Sequence, residues 1–247
     1  MYGAKLRLFF LFLLLISLGT VSKEIGAQEI DNQPIEDWKE RAQVLTAVIR
    51  GSSPGAGSAV TDILSVIPRH RFLSGAYSAI AYEDIPLPGF DNRIVPSPSD
   101  LVNAINLLSP AENESVLVAG NNAGYAAAML SQISDTVYLI EESSAADSYR
   151  NIFSELELNN IIVADRADIN AFAGTLSFDN ILIHAAVPEI SEKITEMLSI
   201  KGSIVFPLAD KGGFQQLVLL RRSLLGDFIR TGGSCFFPEV RDLKIGN

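Results

Sequence analysis

Short apolar runs and amphipathic stretches alternate along the chain from residue 115 onward. Each apolar run predicts a buried strand, and each stretch with helical spacing predicts a helix. Alternation of this kind is typical of a parallel sheet that carries helices on both faces. The predicted strands are 115–119, 136–140, 160–164, 179–184 and 203–207, and the predicted helices between them are 123–132, 144–157 and 189–199.

The pattern changes near the C-terminus. Apolar runs at 215–221 and 227–237 flank Leu225-Gly226, and no helical stretch separates them. Two strands joined by a short turn form an antiparallel hairpin. The sequence therefore predicts an α/β fold whose mostly parallel sheet ends in an antiparallel hairpin.

The first hundred residues do not show this alternation. Helical spacing predicts helices over 37–49 and 59–66. Prolines and glycines are dense between residues 84 and 98, which predicts a long, shaped loop without regular structure. A further helix is expected over 100–108, with Ser99 as its N-cap. We interpret this region as a helical N-terminal extension that packs on the sheet.

Composition excludes several classes of function. The 247 residues are 48% hydrophobic and 19% charged, as in a globular protein. A net charge of −10 disfavours nucleic acid as a partner. The sequence has no cluster of Cys and His, so no metal site is predicted. Cys235, the single cysteine, lies in an apolar run, where a buried and inert thiol is expected.

Residues 1–27 have the pattern of a secretory signal. Lys5 and Arg7 precede an apolar run over 8–18, and Gly26-Ala27 offers a small-residue cleavage point, with Val21-Ser22 as an alternative. The sequence therefore predicts export, to the periplasm in a bacterium. Two alternatives stay open, an uncleaved membrane anchor and a cytoplasmic protein with a misplaced start.

The candidate binding chemistry lies after the first strand of the alternating region. Gly120-Asn121-Asn122-Ala123-Gly124 follows an apolar run and opens a helix of small residues. A strand, a tight turn and a helix in this order bring backbone N–H groups close to a nucleotide or adenosyl group. Glu141 closes the next apolar run, where Rossmann-type sites place an acid for the ribose hydroxyls. The loop has two glycines rather than three, so a plain strand-to-helix turn is the alternative.

Five sequence blocks, in order along residues 63–240, resemble the protein-L-isoaspartate O-methyltransferase family of the S-adenosylmethionine-dependent methyltransferase superfamily. Together they span nearly all of the predicted mature chain. The blocks are Ile67–Phe72 with Ala81–Asp84 and Leu87–Phe90, then Val116–Tyr125, Phe178–Ile190, Gly202–Pro207 and Phe236–Pro238.

The resemblance implies a Rossmann-like methyltransferase fold over residues 99–247. Residues 28–98 would then form the helical extension with a loop on the substrate side. The implied activity is methyl transfer from S-adenosylmethionine to the carboxylate of isoaspartyl residues, so the expected partners are damaged proteins or peptides. A carboxylate is already a competent nucleophile, and proximity and orientation supply most of the acceleration. The implied cofactor-binding residues are Gly120, Asn121, Asn122, Gly124, Glu141 for the ribose hydroxyls and Asp165 for the adenine amine.

The chain departs from the family pattern at several of these positions. Val118 stands where the family has an acid, Asn122 where it has a glycine, and Arg166 where it has a small residue. A Cβ at position 122 restricts the turn, although Asn tolerates a positive φ better than most residues.

The family's active-site serine has no counterpart in the loop. Counting forward from Gly89 aligns Val95 with the serine, and counting back from Pro110 aligns Ile94. Ser97 lies nearby, but only a two-residue slip would use it. The catalytic residue therefore stays unknown.

Two hypotheses of function follow, and a third is weaker. The first is an exported isoaspartyl methyltransferase, and the second is an inactive descendant that serves as a binding or scaffold domain. A related enzyme with another acceptor is the third. Arg69, His70 and Arg71 are expected either to pin the extension to the domain or to face the substrate. Asp179 is expected to be structural.

Overall fold

The computed structural model describes residues 37–52, 58–165 and 175–239. The predicted signal at 1–27 and Arg166 lie outside these residues. Strand bounds are β1 Leu87–Pro88, β2 Ile94–Val95, β3 Ser115–Gly120, β4 Thr136–Glu141, β5 Ile161–Asp165, β6 Phe178–His184, β7 Leu198–Ala209, β8 Gln215–Arg221 and β9 Phe228–Ser234.

The main sheet of the described residues has seven strands in the order β5-β4-β3-β6-β7-β8-β9. Strands β3 to β7 pair in parallel. Strands β8 and β9 pair antiparallel at one edge. The predicted mixed sheet with a C-terminal antiparallel hairpin is confirmed. The chain moves from β3 outward to β4 in one direction and later to β6 in the other, so the carboxyl end of β3 is the switch point at which open α/β sheets bind ligands.

Six α-helices are described. Their bounds are α1 Trp38–Ser52, α2 Ser58–Ile63, α3 Pro98–Leu108, α4 Gly124–Leu130, α5 Ser143–Glu155 and α6 Glu192–Glu196. Three 3-10 turns lie at Arg69–Phe72, Gly75–Ile80 and Phe90–Asn92.

Hydrophobic clusters cover both faces of the sheet because successive strand residues point to opposite sides. Val116 and Val118 of β3 join one cluster, which also holds buried hydrophobic residues of α1, α3 and α4. Leu117 and Ala119 join the other cluster, together with Ile194 of α6. The predicted arrangement of helices on both faces is confirmed.

The predicted helix over 189–199 is too long. Helix α6 ends at Glu196, and β7 begins at Leu198 rather than at residue 203. The pairing of β6 with β7 shifts register between Phe178 and Asn180, and Lys201 has a φ of 74°. An irregularity of this kind lets a strand bend without ending. Strand β7 therefore continues on the N-terminal side of Lys201 as far as Leu198.

The loop prediction over 84–98 is wrong in part. Strands β1 and β2 pair antiparallel there, with Leu87 opposite Val95, and a 3-10 turn joins them. The loop therefore contains a tight hairpin, which we call the 87–95 hairpin. The Pro-rich composition predicted a loop without regular structure. Prolines are nevertheless compatible with short strands at edges and turns, so the composition did not exclude the hairpin.

Helix α3 begins earlier than predicted. Its N-cap is Ser97 rather than Ser99, and Ser97 Oγ accepts a hydrogen bond from the Asp100 N–H at 3.2 Å. Pro98 occupies the first helical position, where its fixed φ suits the helix and its missing N–H costs nothing.

Candidate functional site

The candidate site lies at the carboxyl edge of the parallel strands. Gly120, Glu141 and Asp165 each end one of three adjacent strands, β3, β4 and β5. Glu141 is paired in register with Asp165. The fold thus brings the predicted ribose acid and the predicted adenine residue to the edge where the glycine turn, residues 120–124, begins.

The glycine turn is packed too tightly for side chains at either of its glycines. A Cβ on Gly120 would lie 2.6 Å from the carbonyl oxygen of His184. A Cβ on Gly124 would lie 2.2 Å from the Tyr149 ring. Between them Asn122 adopts a φ of 51°, the left-handed conformation that Asn tolerates. The expectation that this turn survives without its middle glycine is confirmed.

Glu141 is turned towards the glycine turn. Its side chain is buried, with the residue 1% exposed. One carboxylate oxygen accepts a hydrogen bond from the Ala123 N–H at 3.2 Å, and the other accepts one from the Glu142 N–H at 3.1 Å. These contacts hold the acid directly against the turn at which the resemblance places the cofactor.

The Asn122 side chain points to the 87–95 hairpin. Its Nδ2 donates to the carbonyl oxygens of Phe90 at 2.8 Å and Arg93 at 2.9 Å. Its Oδ1 accepts a hydrogen bond from the Tyr149 hydroxyl at 2.9 Å. The residue that departs from the family pattern therefore joins the glycine turn to the hairpin and to α5.

His184 supports the glycine turn, a role that the sequence analysis did not assign. It is fully buried at the end of β6, and its Nδ1 lies 3.1 Å from the carbonyl oxygen of Asn121. A carbonyl only accepts hydrogen bonds, so Nδ1 carries the proton. Burial lowers the pKa of His184 to about 4, which keeps the ring neutral near pH 7. Only its position in the sequence could have indicated this role, because the last residue of β6 lies beside Gly120 in the parallel sheet.

Arg69 is a structural residue. Its side chain is fully buried, and burial lowers its pKa to about 10, so it stays charged near pH 7. Its guanidinium donates to four backbone carbonyls on the two sides of the hairpin, three before it and one after it. These carbonyls belong to Ala81, Glu83, Ile85 and Pro96, at 2.8 to 3.2 Å.

The neighbours of Arg69 also make internal contacts. His70 Nδ1 lies 2.7 Å from the Tyr82 hydroxyl, and Arg71 forms an ion pair with Glu155 of α5. Burial and the adjacent Arg71 lower the pKa of His70 to about 4. The Arg71–Glu155 ion pair joins the extension to the domain, as the first of the two alternatives expected, whereas the contacts of Arg69 and His70 lie within the extension.

The 87–95 hairpin has no hydroxyl side chain. Val95 is fully buried in the core, Ile94 is half-buried, and Ser97 is occupied as the cap of α3. Arg93 forms an ion pair with Glu142, and the pKa of Arg93 is raised mainly by this contact.

Other singled-out residues have structural positions. Val118 is fully buried in β3, beside Leu139 of β4. Asp179 accepts hydrogen bonds from the Ser115 N–H at 2.9 Å and from its hydroxyl at 3.0 Å, as expected of a structural acid. Cys235 is half-buried rather than buried as predicted, and it follows the mostly exposed strand β9. Burial still raises the pKa of its thiol to about 12, which keeps it protonated.

Two negative observations apply to the described residues alone. In that part of the chain, no three His, Cys, Asp or Glu side chains gather as a metal site would require. Within the same ranges no helix combines the length and apolar character needed to cross a bilayer.

Sequence relatives point to one family. Residues 43–237 match the family described as "Protein-L-isoaspartate(D-aspartate) O-methyltransferase (PCMT)". The chain is 34% identical over 176 residues to a protein-L-isoaspartate O-methyltransferase of Pelotomaculum thermopropionicum, covering 70% of this chain and 76% of that one. It is 31% identical over 206 residues to the enzyme of the same name from Roseiflexus castenholzii, covering 82% and 92%.

Solved structures show the same fold. A protein-L-isoaspartate O-methyltransferase superposes with a TM-score of 0.71 at 19% identity, covering 81% of this chain and 66% of that chain, just under two thirds of its length. A putative member from Plasmodium falciparum, in complex with S-adenosyl-L-homocysteine, superposes with a TM-score of 0.63 at 14% identity, covering 83% and 98%.

Proposed function

The chain belongs to the protein-L-isoaspartate O-methyltransferase family, and we propose that it transfers a methyl group from S-adenosylmethionine to the carboxylate of isoaspartyl residues in proteins. The observation that carries the proposal is the meeting of the glycine turn, Glu141 and Asp165 at one sheet edge, with the 87–95 hairpin fastened beside them. The element that we assign to the cofactor and the element that we assign to the substrate are thus in direct contact.

The residues present fit an adenosyl group. The turn follows a parallel strand and opens a helix, as dinucleotide-binding turns do, and its two glycines are packed against His184 and Tyr149. We assign the turn's backbone N–H groups and Asn121 to the cofactor, Glu141 to its ribose hydroxyls and Asp165 to its adenine amine. The relative from Plasmodium falciparum carries S-adenosyl-L-homocysteine, which supports this choice of ligand.

The chemistry demands little of the protein's own side chains. S-adenosylmethionine supplies an electrophilic methyl group, and the acceptor carboxylate is ionised near pH 7. The chain therefore needs no general base, and its task is to hold two reactants in line and to exclude competing water. Residues of the 87–95 hairpin perform the acceptor half of this task, because the hairpin lies against the glycine turn.

A binding or scaffold domain without turnover is the second candidate. The observation that favours it is the full burial of Val95, which stands where the resemblance places the family's active-site serine. A buried valine offers no hydrogen bond to a substrate, so any turnover must rely on backbone groups and on other side chains.

The test is calorimetric titration of the protein, from Gln28 onward, with S-adenosylhomocysteine and S-adenosylmethionine, followed by a methylation assay. The acceptor is an isoaspartyl peptide, and the matched control is the same peptide with normal aspartate. Micromolar cofactor binding with methylation of the isoaspartyl peptide alone supports the proposal. A folded protein that binds neither cofactor form at millimolar concentration overturns it in favour of a binding domain. Cofactor binding without methylation of either peptide overturns methyl transfer to isoaspartyl residues.

A further inference from the structure

The Asn122 side chain uses its whole amide group in contacts between three elements. Both N–H bonds of Nδ2 are engaged, one by the Phe90 carbonyl and one by the Arg93 carbonyl. The oxygen is engaged by the Tyr149 hydroxyl. The residue is 1% exposed, so water does not replace these contacts. A buried amide with three partners fixes the relative positions of the elements that carry them.

The two carbonyls belong to the turn of the hairpin. Phe90 begins the 3-10 turn and Arg93 follows it, and the Arg93 carbonyl also accepts a hydrogen bond from the Gly89 N–H at 2.7 Å. A Cβ on Gly89 would lie 3.1 Å from Asn122 Cγ and 2.9 Å from a methyl of Val95. The hairpin backbone therefore packs directly on the Asn122 amide, and position 89 has no room for a side chain.

A second contact also joins the hairpin to the carboxyl edge of the sheet. Arg93 forms an ion pair with Glu142, the residue after Glu141. The pair is partly exposed and adds little stability by itself, but it brings the hairpin to the end of β4 as well as to the end of β3. The hairpin is thus attached at the ends of two of the three strands that carry the predicted cofactor residues.

We propose that Asn122 is a positioning residue that couples cofactor binding to acceptor binding. It transmits order between the glycine turn, where the cofactor is expected, and the 87–95 hairpin, where the acceptor is expected. A ligand that orders one element lowers the cost of ordering the other, so each ligand tightens the other by the same factor. This inference rests on the proposed function, and it concerns a side chain that the family pattern lacks at this position.

The test compares Asn122→Gly with the parent protein and with two further variants. Glycine accepts the positive φ of position 122, so the backbone turn is kept while all three side-chain hydrogen bonds are lost. Tyr149→Phe removes only the hydroxyl partner. Asn151→Gly changes an exposed asparagine of α5 and controls for general destabilisation.

The first readout is the affinity for S-adenosylhomocysteine with and without a saturating isoaspartyl peptide. S-adenosylhomocysteine has no methyl group to donate, so binding is measured without turnover. We expect the peptide to tighten binding about fivefold or more in the parent protein. The factor should fall to about one in Asn122→Gly, take an intermediate value in Tyr149→Phe and be unchanged in Asn151→Gly.

The second readout is hydrogen exchange at the amides of residues 89–95, together with steady-state kinetics. Exchange of these amides should rise in Asn122→Gly and not in Asn151→Gly, and the KM for the peptide should rise more than kcat falls. An undiminished coupling factor or unchanged exchange in Asn122→Gly overturns the inference. Failure of the parent protein to bind S-adenosylhomocysteine overturns the proposed function instead, and tight binding without any coupling in the parent overturns only this inference.

Discussion

At the scale of single residues, the site depends on polar atoms that are buried and oriented by backbone groups. Glu141 is held by the N–H groups of Ala123 and Glu142, and His184 is held by the carbonyl of Asn121. These contacts lie at the ends of neighbouring strands. They hold the glycine turn in place, so a substitution of Glu141 or His184 should change cofactor affinity or stability.

Removal of Glu141 should weaken cofactor binding. Glu141→Ala is expected to reduce the affinity for S-adenosylhomocysteine by about 1–3 kcal/mol, because charge-assisted hydrogen bonds to the ribose hydroxyls are lost. Calorimetric titration measures the change. Glu196→Ala, at an exposed acid of α6, is the matched control and should bind as the parent does. An unaltered affinity in Glu141→Ala would show that the ribose assignment is wrong.

Acid should destabilise the fold through His184. The pKa of this ring is lowered from 6.5 to about 4 by burial, so between these values the unfolded chain binds more protons than the folded chain. The free energy of unfolding therefore falls as the pH falls from about 6.5 towards 4. His70 contributes in the same direction.

The variant His184→Asn isolates the contribution of His184 to the pH dependence of stability. Asparagine keeps an N–H donor for the Asn121 carbonyl but does not ionise. Thermal melts at a series of pH values between 7.5 and 4.5 should show a shallower loss of Tm in the variant than in the parent. Equal slopes would mean that His184 is not the group that titrates.

At the scale of elements, the 87–95 hairpin and the loop before it are fixed by side chains from elsewhere in the chain. Arg69 binds four carbonyls between residues 81 and 96, and Asn122 binds two carbonyls of the hairpin itself. Ser97 then caps α3 and ends the segment. An irregular segment of this length can be well ordered because buried donors satisfy its backbone acceptors.

Replacement of Arg69 should lower the free energy of unfolding more than replacement of its neighbour Arg71. Arg69→Met keeps much of the side-chain volume but leaves four carbonyls without their donor, two of them in buried hydrogen bonds, and it should cost about 3 kcal/mol or more of stability. Arg71→Met removes only a partly exposed ion pair with Glu155 and should cost less than about 1 kcal/mol. Urea unfolding of both variants makes the comparison, and similar midpoints would contradict it.

At the scale of the whole molecule, the sheet divides into a parallel part that carries the site and an antiparallel edge that does not. The glycine turn, Glu141 and Asp165 belong to adjacent parallel strands, whereas β8 and β9 close the far side. The extension is attached at the site end through the hydrogen bonds of Asn122 to the 87–95 hairpin. A cofactor bound at this end would therefore stabilise extension and domain together.

Export is a prediction at the same scale. We propose that residues 1–27 direct secretion and are removed, on the basis of their charge and apolar pattern. Expression of the full chain in a bacterium, followed by fractionation and mass measurement, should give a periplasmic product that begins near Gln28. An intact chain in the membrane would identify an anchor, and an intact chain in the cytoplasm would refute the signal.

The sequence by itself determined the strands of the α/β sheet, the antiparallel end, the glycine turn and the acid at the end of β4. Those features depend on local periodicity and on strand order, which apolar spacing and parallel topology encode directly. The sequence also predicted that Asn122 would permit the turn, because that depends on one residue's φ.

Only the tertiary structure decided what Asn122, Arg69 and His184 contact. Their partners lie between 12 and 63 positions away along the chain, and no local pattern specifies such pairs. The same holds for the 87–95 hairpin, since two-residue strands carry almost no periodicity and the carbonyls between them are satisfied by distant donors. Local spacing encodes which elements form, whereas their attachment to one another depends on buried hydrogen bonds that exist only after the chain has folded.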